Sequence, residues 1–228
     1  MIPSKDAVEF KEYLRLIAVT ASGAMTEVVC YADAGHMYAG IMTGNTVQLG
    51  WLFWAGEWAK VIPLLLVIMC FAMGCVISQI LRCKHVSITS IYGLMLILLL
   101  AASFLRLHSS LRVWLEMPVL SFTVAIQAVA FPRFDSVGLQ TVVTTNNIVK
   151  FTTGLVSYYI YPSIDKEKRP LAADVWIPGV CWFTFIISAG MGGWLVKNTN
   201  SPLIGSILII SIFFGLSVCL RRRRDSFL

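Results

Sequence analysis

The amino-acid sequence predicts an all-α, polytopic integral membrane helical bundle. Of its 228 residues, 57% are hydrophobic and only 13% are charged, whereas roughly a quarter of the residues in soluble domains are charged. Runs such as Val61–Leu81 and Val86–Leu105 carry no charge, and each has the length of about twenty residues that crosses a bilayer as a helix. Leu94–Leu100 is apolar on every side, which excludes the alternating pattern of a membrane β-barrel.

Eight apolar stretches follow one another along the chain, mostly joined by short links. Two of them, 38–56 and 137–160, carry amides and hydroxyls near their centres, and the second also carries Lys150. Unpaired groups of this kind cost several kcal/mol each in hydrocarbon, so we expect these two segments to be broken or re-entrant and to face a cavity. The eight stretches are 14–32, 38–56, 61–81, 86–106, 114–131, 137–160, 175–196 and 203–220.

The two polar stretches also indicate an internal repeat. A segment that begins at Asp33 recurs from Asp135, at a constant shift of 102 residues. We therefore predict two membrane repeats of three to four hydrophobic segments each, 1–110 and 111–228, which form one integrated transmembrane domain. The identical pairs are Asp33/Asp135, Thr43/Thr145, Asn45/Asn147 and Val47/Val149.

The repeat allows two topologies. If all eight stretches span, the repeats are parallel; if the polar stretch of each half enters and returns, each half crosses three times and the repeats are inverted. The distribution of Lys and Arg predicts cytoplasmic termini in both arrangements and does not choose between them. We favour six crossings, because a polar centre is tolerated best where irregular backbone lines a cavity.

The polar segments are the candidate solute-binding site. Gly44 can adopt a positive φ, Thr43 and Asn45 can cap helix ends, and Asn146 replaces Gly44 in the second copy. Two half-helix ends would then present N–H groups to a solute. The alternative is a helix seam in which Thr and Asn bond across the interface. The candidate substrate-binding residues are Thr43, Gly44, Asn45, Thr145, Asn146 and Asn147.

Three carboxylates are candidates for ion or proton coupling. Asp33 and Asp135 occupy equivalent repeat positions, although each is also compatible with a turn or a helix cap, and Glu27 is either a proton carrier or a hydrogen-bonded packing residue. Lys150 can neutralise Asp135, meet an anionic solute or extend to the membrane interface. A weaker option is an intramembrane enzyme that uses Asp33 and Asp135.

Other motifs predict packing and not catalysis. Gly74-x-x-x-Ser78 and Ala189-x-x-x-Gly193 fit the small-residue pattern of close helix contacts. The sequence contains no hydrolase, phosphate-loop or metalloprotease motif, so we expect no enzyme activity and no cofactor. The three histidines lie in separate links, so no metal site is expected. The net charge of +6 is spread over links between apolar spans, a pattern that argues against nucleic-acid binding.

One motif carries a family resemblance. Asp33, followed by the Met-Thr-Gly-Asn-x-Val-x-Leu-Gly sequence of Met42–Gly50 and a weaker second copy after Gln127-Ala128, resembles the YoaK-like family, domain of unknown function 1275. The resemblance covers nearly the whole chain and implies a multispanning membrane protein without an assigned activity. Family members often keep Thr-Gly-Asn in the second copy, where this chain has Thr145-Asn146-Asn147.

These features predict a small-solute or ion transporter or channel with its path between the two repeats. The alternative is a non-transporting membrane scaffold or assembly protein in which the polar segments only fix helix packing. The expected partners are the lipid bilayer and a small solute or ion, with a homo-oligomer as a further possibility.

Overall fold

The computed structural model describes residues 5–33, 35–134, 137–138, 144–160 and 170–225, with the backbone alone for 5–11, 33, 133 and 221–225. The described chain is all-α apart from one short hairpin, and each of the eight predicted apolar stretches contains a helix. The helices are α1 (Lys5–Asp33), α2 (Met42–Trp54), α3 (Trp58–Cys83), α4 (Ile88–Leu105), α5 (Met117–Ala130), α6 (Thr144–Leu155), α7 (Ala172–Asn198) and α8 (Ile204–Asp225).

Short irregular elements join these helices. A 3-10 turn, Ser109–Leu111, and a π-helical turn, Arg112–Glu116, lead into α5. Strands β1 (Arg133–Phe134) and β2 (Val137–Gly138) form an antiparallel hairpin that precedes α6. A second π-helical turn, Val156–Ile160, extends α6.

Five helical segments are long and apolar enough to cross a membrane: Glu12–Ala32, Trp58–Cys83, Ile88–Leu105, Ser109–Ala130 and Ala172–Asn198. A shorter apolar helix, Ile204–Leu220, follows them. Large apolar side chains project outward from these segments, including Met69 and Ile97, which are more than 60% exposed. A soluble protein rarely exposes so much continuous apolar surface, so these helices indicate an integral membrane protein.

Local sequence explains where several helices begin and end. Ser87 accepts a hydrogen bond from the Ser90 N–H and so caps the start of α4. α2 ends at Trp54, just before Gly56, whose φ of 72° suits glycine. Asp174 accepts the Leu171 N–H and closes the first turn of α7.

The bundle is organised around α1 and α5, which are the most buried of the long apolar helices. Helix α3 packs mainly on α5, and α7 packs mainly on α1. Helix α4 contacts α5 and α8, while α8 also contacts α1. The short helices lie to the outside, α2 against α3 and α6 against α7. The main partners of α3 and α7 therefore lie in the opposite half of the chain.

A glycine allows α3 to approach α5 closely. A Cβ atom on Gly74 would lie 2.7 Å from the Ala125 Cβ of α5, and Ser78 one turn later donates to the Ile126 carbonyl at 3.0 Å. The prediction of packing at Gly74-x-x-x-Ser78 is thus confirmed.

The second small-residue motif is displaced by one residue from the close approach of α7 to the α1 backbone. A Cβ atom on Gly192 would lie 3.0 Å from the Met25 Cα of α1, whereas one on Gly193 would meet only Val28 at 3.8 Å. The sequence pattern identified the correct helix but not the residue, because the rotation of α7 about its axis depends on its neighbours.

A buried ion pair joins the end of α4 to the start of α5. The Nη1 atom of Arg106 lies 3.1 Å from Oε1 of Glu116, and both side chains are buried. Arg112 donates from Nε to the Arg106 carbonyl at 3.2 Å. Each charge offsets the desolvation of the other, so this junction between the two halves is fixed.

Candidate functional site

The 35–41 loop connects α1 to α2. The interruption of regular helix that the sequence predicts at Gly44 lies in this loop instead. Gly35 and His36 have φ values of 66° and 68°, whereas Gly44 lies within the first turn of α2 and is not among the described residues with positive φ. A Cβ atom on Gly44 would lie 2.9 Å from the Tyr38 ring. Gly44 is therefore required for close packing and not for its backbone conformation.

Asn45 fixes the middle of the 35–41 loop. Its Oδ1 accepts the Tyr38 N–H at 2.9 Å, and its Nδ2 donates to the Tyr38 carbonyl at 2.7 Å. One turn further along α2, Gln48 donates to the His36 carbonyl at 2.8 Å. The Asn45 side chain is fully buried, so its amide replaces the backbone partners that Tyr38 would have in regular structure.

Glu27 holds the loop from the opposite side. This residue lies in the interior of α1, is only 2% exposed, and accepts the Ala39 N–H at 3.0 Å and the Gly40 N–H. Ser121 of α5 donates to the Ala39 carbonyl at 2.8 Å. Irregular backbone within a membrane protein needs internal partners of this kind, and here side chains from α1, α2 and α5 supply them.

Aromatic side chains cover the loop next to Glu27. The rings of Tyr31 and Tyr38 stack with centroids 5.3 Å apart, and His36 packs on Tyr31 at 4.7 Å. Burial, together with Tyr31 and Glu27, raises the pKa of Tyr38, so its hydroxyl stays neutral. A cavity of about 210 Å³ lies among Glu27, Val28, Tyr31, Tyr38, Ile41 and Phe185.

Two polar side chains of α6 also bind neighbouring segments. Lys150 of α6 donates to the Gly138 carbonyl at 2.7 Å, and the two residues are twelve apart, as are Gln48 and His36. Asn147 is fully buried, and its Nδ2 lies 3.3 Å from the Cys181 Sγ of α7. Lys150 thus binds backbone in the described structure, at the position that corresponds to Gln48.

A cavity of about 270 Å³ lies where the first turns of α2 and α6 meet. Thr43, Thr144 and Thr145 line it, and the hydroxyl of none of the three forms a hydrogen bond within the described part of the chain. No charged side chain belongs to its wall among the described residues. The lining residues are Gly40, Ile41, Met42, Thr43, Phe71, Cys75, Ala128, Val129, Thr144 and Thr145.

The structure brings together only some of the candidate residues. Thr43 and Thr145 line the cavity, whereas Gly44 and Asn146 lie in the same helical turns without being part of its described wall. Asn45 and Asn147 are sealed inside the protein. Thr144 was missed because its repeat counterpart is the apolar Met42, so no polar match marked the position.

The structure describes the three candidate coupling carboxylates to different extents. Glu27 binds the backbone of Ala39 and Gly40, the latter a residue of the cavity wall. Asp33 ends α1, and its side chain lies outside the described structure. Asp135 lies entirely outside the described residues. Among the described side chains, no group of three possible metal ligands lies together.

Two larger grooves lie beside the short helices. One, of about 480 Å³, includes Gly35, His36, Gln48, Trp51 and Leu52 in its wall. The other, of about 510 Å³, includes Val137, Gly138, Lys150, Thr153 and Gly154. Each of the five residues named for the first groove lies 102 positions before the corresponding residue named for the second groove. The first groove combines apolar side chains with Lys60, while the second contains Lys150, Thr153 and Asp174.

Comparison with known proteins gives a family but no activity. No curated protein and no solved structure matches the chain. The sequence matches the family described as "Protein of unknown function (DUF1275)" over residues 15–220, which confirms the resemblance seen at Met42–Gly50. The geometry above is therefore that of a protein that belongs to the DUF1275 family.

Proposed function

We propose that this protein is a small-solute or ion transporter or channel whose path runs between its two halves, through the 270 Å³ cavity. The observation that carries the proposal is the meeting of two helix starts at one cavity, with the free hydroxyls of Thr43, Thr144 and Thr145. Polar groups without protein partners are expensive in a membrane interior unless water or a solute binds them.

The path requires that 1–110 and 111–228 be related repeats, and we propose that they are. Asn45 of α2 and Asn147 of α6 are both fully buried, and they differ by the same 102 residues as the sequence match. The packing of α3 on α5 corresponds to that of α7 on α1, and α4 on α5 corresponds to α8 on α1. The paired grooves and the two twelve-residue hydrogen bonds support the same relation.

We propose six crossings with two re-entrant segments, so that the repeats are inverted. Helix α2 has 13 residues, hence a length of about 20 Å, and α6 with its π-helical extension runs from 144 to 160, hence about 25 Å, against a hydrocarbon thickness of about 30 Å. The 35–41 loop also reaches back to Glu27, about 9 Å before the end of α1. Both termini are then cytoplasmic, in agreement with the distribution of Lys and Arg.

The wall chemistry favours small neutral or singly negative solutes over cations. Residues of the first turns of α2 and α6 line the cavity, so the positive ends of both helix dipoles lie near it. The described wall adds hydroxyls and apolar groups such as Phe71, with no carboxylate to balance a cation. The volume suits a molecule or ion of a few heavy atoms.

A non-transporting scaffold is the second candidate, and a specific observation favours it. Asn45 and Asn147, which the sequence marks as solute ligands, are fully buried and bonded to protein groups. In a scaffold, the polar segments would serve only to fix the 35–41 loop and its counterpart. The threonine hydroxyls would then have no ligand.

A thermal-shift screen distinguishes the two candidates. Purified protein is tested with inorganic anions, small carboxylates and small neutral metabolites, because a solute that binds only the folded state raises the melting temperature. We expect at least one small anion or neutral solute to stabilise the wild type. The shift should shrink in Thr43→Val and Thr145→Val, which remove a hydroxyl with little change of shape.

Thr46→Val and Thr152→Val are the matched controls. These residues lie on the same two helices, outside the described cavity wall, and their hydroxyls bond to backbone carbonyls of their own helix. The shift should persist in both, and the stabilising solute should cross the membrane of proteoliposomes that contain the wild type. A complete absence of stabilising solutes, or equal shifts in all four variants, would support the scaffold.

A further inference from the structure

We propose that Glu27 is a proton-binding site that controls the wall of the 270 Å³ cavity. The ionised carboxylate holds the Ala39 and Gly40 segment of the 35–41 loop, and protonation of Glu27 releases it. The consequence for solute passage rests on the proposed function. The movement of the loop does not rest on the proposed function, and it can be measured without any solute.

Glu27 binds the part of the loop that forms the cavity wall. Its carboxylate oxygens accept the N–H groups of Ala39 and Gly40, and Gly40 and Ile41 line the cavity. The attachments from Asn45 and Gln48 are made to Tyr38 and His36, which precede this part. Ser121 still holds the Ala39 carbonyl when the Glu27 contacts are lost, so the wall loosens around Gly40 and Ile41 while the beginning of the loop stays attached.

Ile41 separates two cavities. It lines the 270 Å³ cavity and also the 210 Å³ cavity that contains Glu27, Tyr31 and Tyr38. Movement of the segment around Ile41 would join the two spaces. Glu27 itself lines the smaller cavity, which is the route that the proposal assigns to the proton.

Protonation changes what the carboxyl group can accept. An ionised carboxylate accepts through both oxygens, whereas a proton on one oxygen turns that oxygen into a donor. The N–H groups of Ala39 and Gly40 face different oxygens of Glu27, so the one that faces the protonated oxygen is left with a much weaker acceptor. The remaining bond becomes weaker because its acceptor is no longer charged.

Few other titratable groups face Glu27 among the described side chains. Tyr31 comes from α1, Tyr38 and the nearby His36 come from the loop, and α7 contributes the uncharged Phe185. Tyr38 stays neutral because its pKa is raised. His36 and Asp33 are therefore the residues whose protonation has to be separated from that of Glu27.

Cys75 provides a native reporter, since it lines the 270 Å³ cavity on the α3 side. The full-length chain is prepared with Cys75 as its only cysteine, the other five being replaced by Ser or Ala, both with Glu27 and with Glu27→Gln. The rate of N-ethylmaleimide modification is measured between about pH 8 and about pH 5. At each pH the ratio of the two rates cancels the pH dependence of the thiol itself.

We expect the Glu27 protein to react more slowly than Glu27→Gln at high pH, by about tenfold, the effect of losing one charge-assisted hydrogen bond. The ratio should approach one at low pH, where both side chains are neutral. The same response should persist in His36→Gln and in Asp33→Asn. A ratio that does not change with pH, or a response that disappears in His36→Gln, overturns the proposal.

Hydrogen exchange supplies a second measurement that needs no variant. Exchange of the Ala39 and Gly40 amides in the wild type, corrected for intrinsic rates, should become faster relative to that of Tyr38 as the pH falls. Equal protection at both ends of the pH range contradicts the role of Glu27 even if Glu27→Gln does not fold. If the loop responds to pH but no solute binds the protein, this inference stands and the transporter proposal is wrong.

Discussion

Asn45 and Glu27 illustrate how a polar side chain in a membrane protein can serve the backbone. The sequence predicts that both matter, since uncompensated polar groups are rare in such segments. Their partners could not be predicted, because the partners are N–H and C=O groups of the 35–41 loop. Sequence patterns report side chains and carry little information about which backbone groups remain unpaired.

Substitution of Asn45 tests its structural role. In Asn45→Ala, the Tyr38 N–H and carbonyl both lose their partners inside the protein, and we expect a loss of about 2–4 kcal/mol. The measurement is the midpoint of thermal or denaturant unfolding in detergent. Asn146→Ala is the control, since Asn146 is exposed on α6, and it should change the midpoint little. Equal effects of the two substitutions would contradict the role assigned to Asn45.

The long helices were predictable, and the short ones only in part. Continuous apolar sequence is enough to define α3, α4 and α7, because a membrane helix needs little else. The polar stretch 38–56 instead contains the end of the 35–41 loop, followed by α2. Gly44 was the natural candidate for the break, yet the chain turns at Gly35 and His36, where nothing in the local sequence except Gly35 gives a signal.

The closest helix contacts predict a graded response to alanine at three glycines. Gly74→Ala and Gly192→Ala place a methyl group against α5 and α1, and we expect each to destabilise the protein by about 1–3 kcal/mol. A Cβ atom on Gly190 meets no atom within 4 Å, so Gly190→Ala should be neutral or slightly stabilising. The unfolding midpoint in detergent ranks the three variants.

Gly190 is an informative control because it lies on the same helix as Gly192. Replacement of either glycine by alanine raises the intrinsic helix propensity by the same amount. If Gly190→Ala destabilises the protein as much as Gly192→Ala, the rotation of α7 described above is wrong. If Gly74→Ala is neutral, the seam between α3 and α5 is looser than the distances indicate.

The membrane topology makes a prediction about Cys83, the exposed last residue of α3, which lies beside the link to α4. Six crossings put this link on the same side as the two termini, whereas eight put it on the opposite side. We expect a membrane-impermeant maleimide, added from outside to cells that contain a Cys83-only protein, to leave Cys83 unmodified until the membrane is permeabilised.

Lys197→Cys in a background without other cysteines is the positive control for this labelling. Both topologies place position 197 opposite the termini, so the reagent should modify it in intact cells. Immediate modification of Cys83 in intact cells would instead indicate eight crossings and parallel repeats. The cation distribution alone does not decide this, because both arrangements divide Lys and Arg between the two sides in the same proportion.

The interlocking of α3 with α5 and of α7 with α1 has a consequence for how the protein is made. A ribosome completes α1 to α4 before α5 exists, so the newly inserted first half waits in the membrane with Gly74 and Ser78 facing lipid or an insertion factor. During that interval Ser121, which anchors Ala39 from α5, is also missing. Quality-control proteases that sense unassembled membrane segments have their opportunity then, and a chain interrupted before α5 should be removed rapidly.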